Sequence, residues 1–284
     1  MKDKDKDKDQ NKKSKKGKKR GFIFSSFVLL AKVLWFVIKL PYFLFLGIYH
    51  SGKFISRKSK ERKIEKKRES IKSVYSDFNV IHSDSGDYKN WEKKIFGAES
   101  KIGIILGARG SGKTAFGVKF LENVHAKEQK SCYALGFKEE DFPSWIKVVS
   151  DVSEIKNNSF VLIDESGILF SSRNSMSDSN KFLSNLILVA RHKNLNILFI
   201  SQNSSNLDVN ILRQADYLVL KPSSLLQKDF ERKIVQKIYE DSADNFEKFK
   251  DVEGLTHIYS NDFNGFVSNP LPSFWGSNIS KSFR

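Results

Sequence analysis

Lys101-Ile102-Gly103-Ile104-Ile105-Leu106 runs directly into Gly107-Ala108-Arg109-Gly110-Ser111-Gly112-Lys113-Thr114, and this stretch decides the fold. A short apolar run bounded by glycine is a buried strand. The octapeptide behind it satisfies GxxxxGK[ST] through Gly107, Gly112, Lys113 and Thr114. The glycines let successive backbone N–H groups turn toward a phosphate without Cβ clashes. The helix predicted over Lys113–His125 presents its positive N-terminal end at the same place. Lys113 is expected to bridge β- and γ-phosphates, and the Thr114 hydroxyl to take Mg²⁺. Ala108, Arg109, Gly110 and Ser111 line the loop, Arg109 and Ser111 through their backbone. The implied ligands are ATP and Mg²⁺.

Two further apolar segments end in polar groups. Phe160-Val161-Leu162-Ile163 is a buried strand that closes on Asp164-Glu165. Asp164 suits Mg²⁺ held through a water, and Glu165 suits a base that orients or deprotonates the attacking water. Ile197-Leu198-Phe199-Ile200 closes on Ser201-Gln202-Asn203. In a parallel sheet that end lies on the same edge as the glycine loop, where Gln202 can contact the γ-phosphate or the lytic water. Strands are also expected at Ser131–Leu135, Asp216–Leu220 and Leu255–Tyr259. Helices are expected at Ser179–His192 and Leu225–Glu240. The alternation implies an α/β fold, a mainly parallel sheet flanked by helices. The adjacent Asp-Glu pair points to hydrolysis with an intrinsic base, as in additional-strand ATPases. No Asn-Lys-x-Asp guanine-reading motif is present. Two arginines, Arg191 in Ala190-Arg191-His192 and Arg213 in Leu212-Arg213-Gln214, are candidate phosphate sensors or arginine fingers. Each has a structural alternative, a helix-terminal carbonyl cap for Arg191 and an ion pair for Arg213.

Gly107–Thr114, Leu162-Ile163-Asp164-Glu165, and Arg191-His192 followed by Ile200-Ser201-Gln202 together resemble the FtsK–HerA group of P-loop ATPases. Within it they are most similar to zonular-occludens-toxin (Zot)-like proteins and to viral DNA-packaging ATPases. The resemblance covers roughly residues 100 to 240. It implies a RecA/FtsK-like P-loop NTPase of the additional-strand type, a homo-oligomeric ring (in the family usually a hexamer), and a motor that moves DNA or drives virion or filament assembly. DNA is the partner on the first reading, viral coat or envelope proteins on the second. Toxin-like proteins usually carry their membrane segment after the ATPase domain; here the apolar segment precedes it.

The N-terminal quarter is of another kind. The chain of 284 residues has a formal net charge of +16. Residues 1–72 contain 23 Lys/Arg against 7 Asp/Glu, so the whole excess lies there. Residues 1–20 are a Lys/Asp-alternating, then Lys-rich tail without apolar residues beyond Met1, which cannot fold alone. Residues 21–50 are almost entirely apolar, interrupted by Lys32, Lys39 and Pro41. That length suits a membrane segment. Basic residues flank it on both sides, so the charge rule gives no orientation. A single tilted span and a hairpin bent near Lys39-Leu40-Pro41 both satisfy the sequence. Residues 51–98 are a basic connector, and 99–284 the ATPase domain. The expected location is a membrane, with the ATPase domain on its cytoplasmic side. The single cysteine, Cys132, excludes a disulfide framework and suits a buried apolar role. Leu207–Leu212 is a candidate pore-lining segment.

Overall fold

The computed structural model describes residues 32, 34–36, 38–39, 42, 45, 49–50, 53–97, 99–164, 188–207, 209–276 and 278–279. The chain divides into two compact units, Met1–Lys63 and Ile64–Arg284. In the first unit residues 53–63 are helical and exposed and belong to helix α1, which is described over residues 53–70. The membrane segment expected over 21–50 lies mostly outside the described residues. Among those described, no helix is long and apolar enough to cross a membrane.

The second unit is built on a nine-stranded sheet. Its strands are β1 (Asn79–Gly86), β2 (Ile102–Leu106), β3 (Cys132–Leu135), β4 (Ile146–Val149), β5 (Phe160–Asp164), β6 (Asn196–Ile200), β7 (Tyr217–Leu220), β8 (Leu255–Ser260) and β9 (Phe263–Ser268). The spatial order is β1-β9-β8-β7-β2-β6-β5-β3-β4. The six strands from β4 to β7 in that order are all parallel. β8, β9 and β1 extend the sheet antiparallel. β6 stands between β2 and β5, separating the strand that feeds the glycine loop from the one that ends in Asp164.

Strand β2 is buried on both faces, as a central parallel strand must be. Ile105 points into one apolar layer, and Ile104 and Leu106 into the other. The first layer is capped by helices α2 (Tyr88–Gly97) and α3 (Lys113–Glu128), through Trp91, Phe96, Phe116 and Phe120. Gly117 lets α3 lie against the sheet: a Cβ there would sit 2.6 Å from Leu162 Cδ1. The second layer takes Ile211 from α4 (Val209–Gln214), and Val235, Ile238 and Tyr239 from α6 (Lys233–Asp241). Helices α5 (Leu225–Phe230) and α7 (Ala243–Lys248) flank α6.

Several expectations need correction. Part of the presumed connector belongs to the sheet domain. Residues 79–86 form edge strand β1 on β9, and α2 buries Tyr88 and Trp91 in the core. Arg68, near the end of α1, is buried as well. It donates from Nε to the Phe142 carbonyl at 2.9 Å and from Nη1 to Glu139 at 3.0 Å. The helix expected over 225–240 is broken, because Glu231 and Arg232 are extended and turn their side chains onto the loop after β6. Within the candidate pore-lining segment 207–212, Leu207 and Ile211 are buried in the core, while Val209 and Asn210 are exposed. The aromatic tail docks on its own core. Phe274 meets Trp145 edge-on at 5.7 Å, and the Ser273 amide donates to Glu122 at 3.0 Å. Of the helix expected at 179–192, only the final turns, 188–193, lie within the described residues.

Candidate functional site

All six parallel strands point the same way, so the ends of β2, β5, β6 and β7 share one edge. The register fixes their heights. Ile105 pairs with Ile200, Asp164 with Ile200, and Leu106 with Leu220. The chain beyond each strand therefore emerges at nearly one level: Gly107 from β2, Asp164 at the tip of β5, Ser201-Gln202 from β6 and Lys221-Pro222 from β7. The Ser201 amide donates to the Ile105 carbonyl at 3.0 Å and the Lys221 amide to the Leu106 carbonyl at 2.8 Å, continuing the ladder into the loops.

The glycine loop is held from beneath by β7. The Ala108 amide donates to the Pro222 carbonyl at 3.0 Å, and the Ser111 amide to the Ala108 carbonyl at 3.2 Å. Gly107 has φ +147°, and a Cβ there would lie 2.6 Å from Lys221 Cβ. Only glycine fits that backbone at that approach. Gly112 starts α3 from a left-handed conformation, with no side chain capping the helix. The first-turn amides of α3 thus keep their capacity for an anion. The Ser111 hydroxyl is buried without a hydrogen-bond partner. An orphaned polar atom beside a helix start that no side chain caps fits a phosphate group.

Lys113 is 8% exposed. Its ammonium donates to the loop's own carbonyls, Gly107 at 2.7 Å and Ala108 at 2.8 Å. Burial pushes its pKa down to about 8, and the charges of Asp164 and Glu231 act against that shift. Both carboxylates thus lie within electrostatic reach of Lys113. Asp164 is 5% exposed. Thr114 is half-buried in the first turn of α3. One hydroxyl and one carboxylate are a sparse ligand set. Among the described residues no cluster of three His, Cys, Asp or Glu side chains forms. That sparseness fits Mg²⁺, which keeps several waters and takes its remaining oxygens from phosphates. Arg109 and Gly110 are exposed at the top of the loop, and Gln202 is exposed at the end of β6. Glu165 lies outside the described residues.

The two arginines are not brought to this edge. Arg191 sits in the turns before β6, where the Leu195 amide bonds the Ala190 carbonyl. Arg213 ends α4 just before β7. Both positions are at the start of their strands, and a five-residue strand such as β6 is about 16 Å long. Both side chains are exposed on the edge opposite Lys113.

Glu231 is the site residue that sequence reasoning missed. It is 5% exposed and sits where α5 gives way to α6. Nothing in Lys228-Asp229-Phe230-Glu231-Arg232-Lys233 marks it, since a mixed-charge run reads as a solvated helix face.

A parallel sheet whose strand feeds a GxxxxGK[ST] loop, with a buried lysine and a strand-end aspartate at one edge, defines a P-loop NTPase-like α/β protein. More particularly, residues 121–220 match the zonular occludens toxin (Zot) family. That match begins within α3, beyond the glycine loop, and spans Asp164, Arg191, Gln202 and Arg213. No curated protein matches the chain. Among solved structures, the DNA-packaging ATPase B204 of Sulfolobus turreted icosahedral virus is 16% identical with TM-score 0.41, covering 61% of this chain and 98% of that one. The pCW3 conjugation coupling protein TcpA is 11% identical with TM-score 0.40, covering 65% of this chain and 64% of that one. The KaiC-like protein PH0186 of Pyrococcus horikoshii is 11% identical with TM-score 0.40, covering 68% of this chain and all of that one, at 100%.

Proposed function

We propose that this chain is a Mg²⁺-dependent ATPase, anchored at a membrane through residues 21–50 with its ATPase domain on the cytoplasmic side, that works in a ring of identical subunits to move DNA. The observation that carries the ATPase reading is the setting of Lys113, buried at the start of α3 inside a GxxxxGK[ST] loop with Asp164 in electrostatic reach. The position of β6 between β2 and β5 supports the additional-strand type, in which an intrinsic carboxylate serves as base.

The residues divide the work as follows. Amides of Gly112, Lys113 and Thr114 receive the β-phosphate at the start of α3. Lys113 exchanges the Gly107 and Ala108 carbonyls for β- and γ-phosphate oxygens, which accept its charge-assisted bonds better. Thr114 and Asp164 hold Mg²⁺, which neutralises charge developing on the phosphates. Gln202 contacts the γ-phosphate or the attacking water. Glu165, next after Asp164 in the chain, takes the proton from that water as it adds to the γ-phosphorus and ADP leaves. Arg191 or Arg213 of a neighbouring subunit supplies the missing positive charge.

DNA is favoured as the moved substrate by the basic α1, whose Lys53, Arg57, Lys58, Lys60, Arg62, Lys63, Lys66 and Lys67 are all exposed. The test is ATP turnover by the full chain with and without duplex DNA across a salt series. Stimulation that fades steeply with salt is expected; DNA-independent, salt-insensitive turnover would overturn the DNA reading. The Zot match over 121–220 favours a second reading, an assembly or export ATPase acting on protein at the membrane. Recovery of coat or envelope proteins, without nucleic acid, on the purified chain would select it.

A further inference from the structure

The loop that leaves β6, residues 201–207, is clasped by the break between α5 and α6. The Ser204 amide donates to Glu231 Oε2 at 2.7 Å, and the Ser205 hydroxyl to the Phe230 carbonyl at 2.6 Å. Arg232 closes the clasp from the other side. Its amide donates to the Ser204 hydroxyl at 2.8 Å, its Nε to the Ser204 carbonyl at 3.0 Å, and its Nη2 to the Leu207 carbonyl at 2.8 Å. Gln227 Nε2 donates to the carbonyl of Gln202 and, at 3.4 Å, to Glu231 Oε1. One buried carboxylate is thus part of the clasp on the segment that begins with Gln202.

That carboxylate is almost fully buried. It is 5% exposed, its hydrogen-bond donors are an amide and a carboxamide, and among the described residues it makes no ion pair. A buried charge with neutral donors alone is unfavourable. The positive group whose field it shares is Lys113. A purely structural tie between two loops needs no charge; a neutral amide would serve. A charge here is useful if the loop must be set relative to the phosphate-binding lysine.

We propose that Glu231 is a positioning residue for γ-phosphate recognition: its bond to the Ser204 amide sets the Gln202 loop against the Lys113 end of the nucleotide site. This rests on the nucleotide site proposed above. Glu231 need touch no nucleotide. It acts through the loop, so its loss should weaken the distinction between a triphosphate and a diphosphate more than it weakens binding itself.

The experiment measures affinities of the full chain for ADP and for ATPγS by calorimetry, and kcat and KM for ATP. The variants are Glu231→Gln, Glu231→Ala and, as a control, Glu247→Ala on exposed α7. Glu231→Ala should shrink the ATPγS-over-ADP preference about tenfold, the effect of one charge-assisted hydrogen bond. Glu231→Gln, isosteric and still able to accept from Ser204, should shrink it about threefold, since a neutral acceptor bonds roughly half as strongly. ADP affinity should stay near wild type in both, and kcat should fall more than KM rises. Glu247→Ala should change nothing. An unchanged preference in both Glu231 variants overturns the inference. So does a parallel loss of ADP and ATPγS affinity, or a wild-type protein that binds the two alike. If Glu231→Ala does not fold, the glutamine variant decides. A wild type that binds both nucleotides but never turns over ATP overturns the hydrolysis reading, while the affinity ratio still decides the role of Glu231.

Discussion

The ammonium of Lys221 donates to the side-chain oxygen of Asn269 at 2.7 Å, across the junction between the parallel sheet and its antiparallel extension. It also donates to the carbonyls of Gly254 at 3.1 Å and Leu255 at 3.2 Å. These three acceptors match its three protons, and no carboxylate is among them. Lys221 is 1% exposed and lies directly under the glycine loop; its Nζ is 3.8 Å from where a Gly112 Cβ would be. The ground beneath the glycine loop is therefore pinned to β8 and to the chain after β9 through one buried cation.

Burial pushes the Lys221 pKa from its ordinary 10.5 down to about 7. Between those values the unfolded chain binds a proton that the folded chain has released. Unfolding free energy therefore rises with pH through that window, and below about 7 the cost of the buried charge is fully present. Lys113, pushed down to about 8, adds a smaller slope of the same sign. Tm measured at pH 6.5 and pH 8.5 should rise for the wild type. Lys221→Met should flatten that rise without abolishing it, leaving the Lys113 share. An equally steep rise in Lys221→Met would show that Lys221 does not titrate in this window.

Lys113→Met separates stability from activity. The lysine's ammonium bonds two carbonyls of its own loop while paying a desolvation cost that a thioether does not. Tm at neutral pH should not fall. ATP turnover should drop by about 100-fold or more, as when other transition-state donors are removed. A variant with normal turnover would move the phosphate site away from this loop.

How much of this was legible in the sequence depends on the kind of residue. The glycine loop, β5 and β6 were readable because a fully buried parallel strand is a continuous apolar run, and because the phosphate-binding geometry demands particular residue types at fixed spacing. β1 was not readable: Asn79-Val80-Ile81-His82-Ser83-Asp84-Ser85-Gly86 is a polar edge strand with irregular pairing to β9, and edge strands need no apolar run. β4, the other edge strand, was missed because it is short and interrupted by Lys147, and β9, which lies between β1 and β8, because Asn264 and Gly265 break its apolar run. The break at Glu231-Arg232 was hidden because helical propensity continues through it. Only contacts to Ser204 and Leu207, distant in sequence, pull those side chains out of the helix. The register across β2, β6 and β7, which sets the arginines on the far edge, is a tertiary fact that no local pattern encodes.

Glu122 joins three segments. It is fully buried, pairs with Lys119 at 2.8 Å, and accepts from the Val74 amide at 3.1 Å, the Ser273 amide at 3.0 Å and the Ser273 hydroxyl. Removing one partner of a buried ion pair strands the other charge, a cost of about 3–5 kcal/mol. Glu122→Ala leaves Lys119, itself 1% exposed, without its counter-charge. Urea unfolding should show a loss of that order. Limited proteolysis should cut near residues 270–279 before the sheet core, because the tail's polar anchor on α3 is gone. Glu122→Gln should restore part of both. A loss below about 1 kcal/mol, the worth of an exposed pair, would show the tail to be held by the apolar contacts of Phe274, Trp275 and Ile279.

Arg191 and Arg213 stand on the sheet edge opposite Lys113, so neither can meet the γ-phosphate bound by its own chain. If either is an arginine finger, it must act on a neighbour, and this has a distinctive signature. Lys113→Met and the corresponding Arg→Ala variant should each be inactive alone. Mixed after subunit exchange, some interfaces will pair an intact glycine loop with an intact arginine, and turnover should return. Mixing two batches of the same variant should restore nothing. Arg→Ala removes a contact worth about 10³–10⁵ in kcat where a finger operates, so the two classes separate cleanly. An arginine whose alanine variant keeps wild-type turnover is excluded as a finger. If both are excluded, ring assembly loses its catalytic argument in this chain. If mixing fails while both single variants are inactive and folded, the arginines support the sheet edge rather than a neighbouring site.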